Sequence, residues 1–332
     1  MTVGGLSNTE LKPSRNKLLA ASRVVDVVER LRATMATAVL SFPLTPFTSD
    51  GEVSLPAFRE HLRAQVAAGP GAVFPCCGTG EFFSLSEDEY ERLVVAAVEE
   101  VGGRVPVIAG AGYGWAQAVR FAAAAERAGA DALLLMPHYL VGAPQEGLVQ
   151  QVREVAARTA LPLIVYQRGQ VKFTARSVAE LGEVPTVIGL KDGHSDLDQL
   201  QRIRLAAPAS WLYFNGALTA EMQARPYRSV GIPSYSSAVH AFAPEIAGAF
   251  FSAYAAGDDA EVERLLRGFY WPFVELRDRR AGYAVALVKA AAGLRGSPMD
   301  PVRAPLTDPS PSDLADLEAL LAAGLALVGA DR

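Results

Sequence analysis

The chain has 332 residues, half of them hydrophobic, and a formal net charge of −5. Without a basic run, this charge disfavours nucleic acid and anionic membranes as partners, and no apolar stretch is long enough to predict a membrane span. Its only two cysteines, Cys76 and Cys77, are adjacent; with no signal-peptide pattern at the N-terminus, this indicates a cytoplasmic protein in a reducing compartment.

Residues 1–36 are predicted to form an N-terminal extension. Residues 1–15 are rich in Gly, Ser, Asn and Pro, so we expect this part to be mobile. Apolar residues then recur at helical spacing over 16–35 and predict an amphipathic helix: Leu18, Val24, Val27, Val28 and Leu31.

Residues 37–257 alternate between short apolar runs and amphipathic segments, which predicts a parallel sheet covered by helices. The predicted strands are 38–42, 72–74, 105–109, 132–136, 161–166, 187–190, 211–214 and 231–235. The predicted helices are 54–69, 86–101, 115–128, 145–159, 174–182, 195–206, 217–225 and 239–256. Eight such units predict an α/β fold of the (β/α)8 TIM barrel type, with a doubly wound sheet as the alternative.

Residues 258–332 are predicted to form a C-terminal helical appendage. Helical patterns cover 258–280, 281–293 and 311–328, and a proline-rich stretch separates the last two. Proline ends helices, so we expect an irregular connection there.

Lys191 stands at the end of the predicted sixth strand, within the stretch Thr186–Gly193. Burial disfavours the charged ammonium form, so a lysine there can supply a neutral, nucleophilic amine. Such an amine can form a Schiff base with a carbonyl substrate. The alternative is a structural lysine paired with Asp192 or another carboxylate.

Other strand ends offer groups that could act with this lysine, because barrel active sites lie at the C-terminal ends of the strands. The turn at Gly78 and Thr79 exposes backbone N–H groups that suit a carboxylate, or it is an ordinary turn. Tyr166 could carry protons, or be a surface aromatic residue. Arg168 could bind a second carboxylate, or form a surface ion pair.

No metal or organic cofactor is expected. The four histidines form no i, i+4 pair, and Cys76 and Cys77 are the only cysteines, so a zinc site is not supported. The glycines at 110, 112 and 114 do not have the spacing of a dinucleotide-binding motif. Lys191 is therefore the one strong nucleophile candidate.

Several stretches, in this order and spacing, resemble the dihydrodipicolinate synthase / N-acetylneuraminate lyase superfamily of Schiff-base barrels. The likeness runs from about residue 37 to the C-terminus. The matching stretches are Leu40–Pro43, Gly78–Leu85, Ala111–Gly114, Gln145–Leu148, Gly189–Gly193, Tyr235–Ala238, Arg279–Val285 and Pro301–Asp308.

The resemblance implies a role for each matched position. Lys191 falls on the Schiff-base lysine and Tyr166 on the tyrosine that shuttles protons. Gly78 and Thr79 fall on the turn that binds the keto-acid carboxylate. Tyr139 falls on a tyrosine that in relatives lies near the site and a subunit contact. A homotetramer or homodimer is also implied.

The resemblance is nearer to the branch that dehydrates and decarboxylates 5-dehydro-4-deoxyglucarate, so we expect a keto sugar acid as the substrate. Arg168 is the candidate for its distal carboxylate, with Ser236 and Ser237 as weaker candidates for its hydroxyl groups. That branch carries Asn-Arg-Asp-Asn where this chain reads Gln167–Gln170, and we expect this difference to alter the cavity wall. The alternatives are another Schiff-base aldolase or lyase of the same barrel, and a barrel that only binds a sugar acid.

Overall fold

The structure is a computed structural model that describes residues 15–299 and 301–330. The expectation of a mobile start falls largely on residues 1–14, which lie outside the described residues. No helix in the described part is long and apolar enough to cross a membrane.

The predicted N-terminal helix is confirmed as α1, Arg15–Met35. Val27, Leu31 and Met35 recur every four residues and are buried in the hydrophobic core of the barrel. Arg32 also donates a hydrogen bond to the carbonyl oxygen of Ser210 at 2.6 Å. The helix therefore packs on the barrel through one apolar stripe.

Eight parallel strands form the barrel, and their carboxyl ends meet at one edge. They are β1 Leu40–Ser41, β2 Ala72–Val73, β3 Ile108–Ala111, β4 Ala132–Leu135, β5 Leu163–Gln167, β6 Val187–Asp192, β7 Leu212–Asn215 and β8 Ser234–Ser237. Strand neighbours run in the order β2-β1-β8-β7-β6-β5-β4-β3, and a parallel bridge between Val73 and Val107 joins the two ends of this order. The predicted (β/α)8 barrel is confirmed, and this closure excludes the doubly wound sheet.

Helices cover the outside of the barrel between successive strands. They are α2 Leu55–Ala67, α3 Glu87–Val101, α4 Trp115–Ala128, α5 Gln145–Ala156, α6 Ala175–Leu181, α7 Leu197–Ala206, α8 Ala224–Ser229 and α9 Pro244–Ala256.

After residue 257 the described elements are all helical. They are α10 Asp259–Leu265, a π-helical turn Leu266–Tyr270, α11 Trp271–Asp278, α12 Tyr283–Leu294 and α13 Pro311–Leu327. The predicted single helix over 258–280 is thus interrupted. Pro272 lies in the first turn of α11, and its missing N–H cannot continue the α-helical hydrogen bonds from the preceding turn.

Two predicted barrel helices also differ from the structure. The segment predicted as a helix over 217–225 begins as a 3-10 turn, Ala220–Gln223, before α8. The segment predicted over 239–256 is a 3-10 turn, Val239–Ala241, followed by α9. Pro244 occupies the first turn of α9, where a residue without N–H is tolerated, so the α-helix starts there.

Candidate active site

A cavity of about 310 Å³ opens at the carboxyl end of the barrel. Its wall contains Lys191 of β6, Tyr166 of β5, and the Gly78–Thr79 turn after β2. Phe273 of α11 and Val288 of α12 close another side. The C-terminal helices therefore complete a pocket that the barrel strands begin.

Lys191 lies inside the barrel among aromatic rings, with 6% of its surface exposed. Its Nζ is 4.0 Å from the ring centre of Phe42 and 4.5 Å from that of Tyr166. Burial lowers the pKa of Lys191 to about 7. The amine is therefore available in its neutral form near neutral pH.

Asp192 does not pair with this lysine, because successive strand residues face opposite sides of the sheet. Its carboxylate accepts hydrogen bonds from Gln167 Nε2 at 2.6 Å and the Ser195 N–H at 2.9 Å. The Tyr227 hydroxyl donates to it as well. No carboxylate of the described residues forms an ion pair with Lys191. The structure thus favours the nucleophile over the structural ion pair.

The lowered pKa of Lys191 predicts a pH-dependent reactivity. Only the neutral amine attacks an acylating reagent, so acetylation of Lys191 by acetic anhydride should rise with pH through about 7 and then level off. Competitive labelling followed by peptide mass spectrometry measures this. A midpoint near 10.5, the ordinary lysine value, would contradict the buried environment.

The Tyr166 hydroxyl lies in the same pocket. It donates to the carbonyl oxygen of Gly216 at 3.1 Å and accepts from Arg168 Nη1 at 3.2 Å. Burial raises the pKa of Tyr166, and the neighbouring guanidinium of Arg168 works against that rise. Because Tyr166 and Lys191 are paired residues of β5 and β6, the phenol is placed to exchange protons with a group bound at the lysine.

Two glycines that we did not single out from the sequence make room for these side chains. A Cβ atom on Gly216 would lie 2.3 Å from Lys191 Cε, and one on Gly193 would lie 3.1 Å from the Tyr166 hydroxyl. Any side chain at 216 would therefore displace the lysine. In the sequence, both glycines look like residues of ordinary strand-end turns. Only the three-dimensional structure shows that these positions need a residue without a side chain.

The turn at Gly78 and Thr79 lines the cavity, as the sequence predicts. No described residue accepts a hydrogen bond from either backbone N–H, and nothing lies within 4 Å of a Cβ built on Gly78. These N–H groups can therefore receive an anionic ligand.

A buried ion pair anchors the residue that follows this turn. Glu81 has a left-handed backbone (φ 54°), and its carboxylate accepts from Lys289 Nζ at 2.8 Å and from the Arg303 N–H at 3.0 Å. Both Glu81 and Lys289 are almost completely buried. The C-terminal segment thus fixes the turn through side chains that sequence reasoning missed, because the pair spans 208 positions.

The remaining predicted site residues divide into two groups. Arg168 and Ser236 line the cavity. Ser237 does not, since its Oγ donates to Glu221 at 2.5 Å on the outer face of β8. Tyr139 lies on the loop after β4 with 70% of its surface exposed. The structure therefore does not bring Ser237 or Tyr139 into the cavity of this chain.

The expected change of the cavity wall is not found at Gln167, Gly169 or Gln170, because Arg168 is the one residue of the segment Gln167–Gln170 in the lining. Gln167 points into the helix layer, where its Nε2 donates to Asp192 at 2.6 Å and its Oε1 accepts from the Phe173 N–H at 3.1 Å. Gly169 and Gln170 are exposed. Strand alternation explains this, since residue 167 faces the opposite side from residues 166 and 168.

Two further polar residues, Thr219 and Arg277, line the cavity and were not anticipated. Arg277 belongs to α11, and the sequence around it looks like that around a solvent-facing arginine on an amphipathic helix. No signal in the local sequence identifies it.

No cluster of three or more His, Cys, Asp or Glu residues that could hold a metal ion occurs within 15–299 and 301–330. Cys77 lines the cavity, and burial raises the pKa of its thiol to about 12. That thiol stays protonated near neutral pH, which leaves the Lys191 amine as the stronger nucleophile of this wall.

Known proteins are similar to this chain in both sequence and fold. Residues 35–324 match the Dihydrodipicolinate synthetase family. A Streptomyces avermitilis protein named "Probable 5-dehydro-4-deoxyglucarate dehydratase 2" is 68% identical over 304 residues, which are 92% of this chain and 92% of that protein. A Paracidovorax citrulli protein named "Probable 5-dehydro-4-deoxyglucarate dehydratase" is 43% identical over 88% of this chain and 97% of its own length.

Solved structures agree with this likeness. Dihydrodipicolinate synthase from Bacillus clausii superposes with a TM-score of 0.81 at 26% identity, covering 88% of this chain and 98% of that one. The enzyme from Aquifex aeolicus gives a TM-score of 0.77 at 25% identity, over 86% and 96% of the two chains. The resemblance inferred from the strand-end motifs is therefore confirmed.

Proposed function

The chain belongs to the dihydrodipicolinate synthetase family, and we propose that it is a Schiff-base lyase that converts 5-dehydro-4-deoxy-D-glucarate to 2,5-dioxopentanoate, CO2 and water. The observation that carries the chemistry is Lys191, a buried amine with a pKa lowered to about 7 in a cavity beside a tyrosine hydroxyl. The substrate assignment is supported by the identity of 68% to a protein named as that dehydratase.

The first step is attack of the neutral Lys191 Nζ on the C5 ketone. Loss of water from the carbinolamine gives an iminium ion, which withdraws electrons from C4. Tyr166 is the proposed proton carrier for these steps. Its raised pKa keeps the phenol protonated at neutral pH, so it can donate a proton to the departing hydroxyl and later take one back.

Dehydration and decarboxylation follow from the same iminium. Loss of the C4 proton gives an enamine, whose electrons expel the C3 hydroxyl as water and leave a C3=C4 bond conjugated with the iminium. The C1–C2 bond electrons then form C2=C3, the C3=C4 pair moves to C4=C5, and the C5=N pair moves to nitrogen as CO2 departs. Protonation and hydrolysis release 2,5-dioxopentanoate and the free lysine.

Other cavity residues are proposed to position the substrate. The N–H groups of Gly78 and Thr79 bind the carboxylate next to the ketone, and Ser236 contacts a hydroxyl group. Arg168 binds the substrate from the side of Tyr166, to which its guanidinium is hydrogen bonded. Tyr139 and Ser237 stay outside this scheme because they do not line the cavity.

Incubating the enzyme with 5-dehydro-4-deoxyglucarate tests the proposed reaction directly. We expect CO2 and 2,5-dioxopentanoate in equal amounts, without added metal or organic cofactor. A panel of other 2-keto acids serves as the control. Cleavage of a different keto acid, with no CO2 from this one, would assign the barrel to another Schiff-base lyase instead, and no turnover of any would favour a binding protein.

The assembly and location of the enzyme are also proposals. Family membership supports a homotetramer or homodimer, and the reaction supports a cytoplasmic location. Size-exclusion chromatography with light scattering measures the first, and a monomer would contradict it.

A further inference from the structure

The ionisable side chains of opposite sign are not balanced in the cavity wall, where basic residues predominate. Among the described residues, the lining contains three basic side chains, Arg168, Lys191 and Arg277, and no aspartate or glutamate. Because the Lys191 amine serves as the nucleophile in its neutral form, the two guanidinium groups are the charges that the cavity presents, and that of Arg277 is also paired through Nε with Asp278 outside the lining. A substrate with two carboxylates matches this wall better than a monocarboxylate does.

The two guanidinium groups are held by different residues of the cavity wall. Arg168 Nη1 donates to the Tyr166 hydroxyl at 3.2 Å, which places this group beside the proposed proton carrier. Arg277 has no hydrogen bond to Tyr166 or Lys191 and instead donates from Nη1 to Thr219 Oγ1 at 2.7 Å. Arg277 therefore belongs to the wall formed by α11 and the β7–α8 connection.

Hydrogen bonds from two of its three guanidinium nitrogens hold Arg277 in position. Its side chain is only 11% exposed, and its Nε donates to Asp278 Oδ1 at 2.8 Å. Within the described residues, no group accepts a hydrogen bond from Nη2. A positioned, partly buried donor of this kind suits a carboxylate, which accepts charge-assisted hydrogen bonds.

Thr219 supports the same wall in an unusual backbone conformation. Its φ of 49° lies in the left-handed region, which a β-branched residue seldom adopts. The residue is buried, and its hydroxyl accepts from Arg277. Strain of this kind persists where the surrounding structure enforces it, often at ligand sites.

We propose that Arg277, held by Thr219, binds the terminal carboxylate of the substrate and so selects keto diacids over keto monoacids. This inference rests on the proposed function for the identity of the diacid. It moves the distal carboxylate, which sequence reasoning assigned to Arg168, to a residue on the C-terminal helices. Arg168 then acts at the tyrosine end of the cavity.

A matched pair of substrate analogues tests this selection. 2-Oxoadipate has the same spacing between ketone and distal carboxylate as 5-dehydro-4-deoxyglucarate but lacks the hydroxyl that is expelled. 2-Oxohexanoate carries a methyl group in place of the distal carboxylate. Cyanoborohydride reduces the Schiff base of either, so the keto-acid concentration at half-maximal labelling of Lys191 reports binding in the full-length enzyme.

The wild-type enzyme should label at about 10-fold lower concentrations of 2-oxoadipate than of 2-oxohexanoate, since one charge-assisted hydrogen bond commonly contributes that much. Arg277→Met should abolish this preference, because the half-maximal concentration should rise far more for 2-oxoadipate than for 2-oxohexanoate. Arg277→Lys should retain part of it, Thr219→Val should weaken it, and Arg168→Met should keep it.

A wild-type enzyme without the preference, or an Arg277→Met variant that keeps it, would overturn the inference. An equal loss of labelling by both keto acids in Arg277→Met, Arg277→Lys and Thr219→Val would show a structural role instead, which overturns it too. Labelling does not require CO2 release. If the enzyme prefers 2-oxoadipate but releases no CO2 from 5-dehydro-4-deoxyglucarate, only the proposed reaction is refuted. If it releases CO2 but shows no preference, only the role of Arg277 is refuted.

Discussion

Replacing Lys191 with methionine is expected to abolish turnover and to prevent cyanoborohydride from attaching pyruvate to the protein. Turnover should fall by roughly 10⁴-fold or more, as when other covalent nucleophiles are removed. Methionine is unbranched and apolar, so it can occupy the space between the Phe42, Tyr166 and Phe214 rings that surround the amine. The measurements are product formation and the intact mass after reduction.

Lys172→Met is the matched control for this experiment. Lys172 is half exposed and pairs with Asp196 at the surface, outside the cavity lining, so this variant should be labelled and active like the wild type. Labelling that persists in Lys191→Met would place the Schiff base on another lysine and refute the proposed mechanism.

The free energy of unfolding of the Lys191→Met variant shows whether its inactivity comes from lost chemistry or from a failure to fold. The folded-state pKa of Lys191 is lowered to about 7 from 10.5, so the unfolded chain binds a proton that the folded chain holds less tightly. This lysine opposes folding most below pH 7, and its cost disappears as pH rises towards 10.5. The methionine variant should therefore unfold later in urea at pH 7, by a free energy on the order of a few kcal/mol, and the gain should vanish near pH 10.5.

Replacing Lys289 with methionine is expected to cause the largest loss of stability. The change leaves the Glu81 carboxylate, 1% exposed, without its cation. Breaking a buried ion pair by removing one partner commonly costs about 3–5 kcal/mol. Urea unfolding followed by circular dichroism measures this change. The half-saturating pyruvate concentration should also rise, because Glu81 follows the turn that we propose binds the carboxylate.

Lys172→Met again supplies the control, because its ion pair has the same length and differs in exposure. Lys289 and Glu81 are 2.8 Å apart with side chains 3% and 1% exposed. Lys172 and Asp196 are also 2.8 Å apart but are 46% and 41% exposed. An exposed pair contributes about 0–1 kcal/mol. Equal effects of the two substitutions would contradict the assignment of Lys289 as a buried anchor.

The partner of Lys289 can be tested by a double-mutant cycle. Glu81→Gln alone should destabilise the protein, since it leaves the Lys289 ammonium buried without a carboxylate. Combining Glu81→Gln with Lys289→Met removes both charges, so the double variant should be more stable than the sum of the single effects predicts. Additive effects would mean that the two residues do not interact.

Local patterns in the sequence were enough to predict the architecture and to place Lys191 and Tyr166 at the ends of neighbouring strands. Eight alternations of apolar strands and amphipathic helices predicted the closed barrel, because parallel strands buried on both faces must be apolar throughout. Closure then brings strand ends together, so Lys191 and Tyr166, separated by 25 residues along the chain, become paired neighbours on β5 and β6. Strand periodicity likewise placed Arg168 on the same side as Tyr166.

Which side chains reach the cavity, and which contacts hold them there, depends on the three-dimensional packing of the chain. Ser236 and Ser237 are adjacent serines, yet one lines the pocket and the other bonds Glu221 outside it, because the exact start of β8 sets which residue faces inward. Arg277 lines the cavity and Lys289 pairs with Glu81 after the Gly78–Thr79 turn, and both residues come from helices that follow the barrel. Helical packing angles and long-range ion pairs fix these positions, and neither leaves a periodic trace in the sequence.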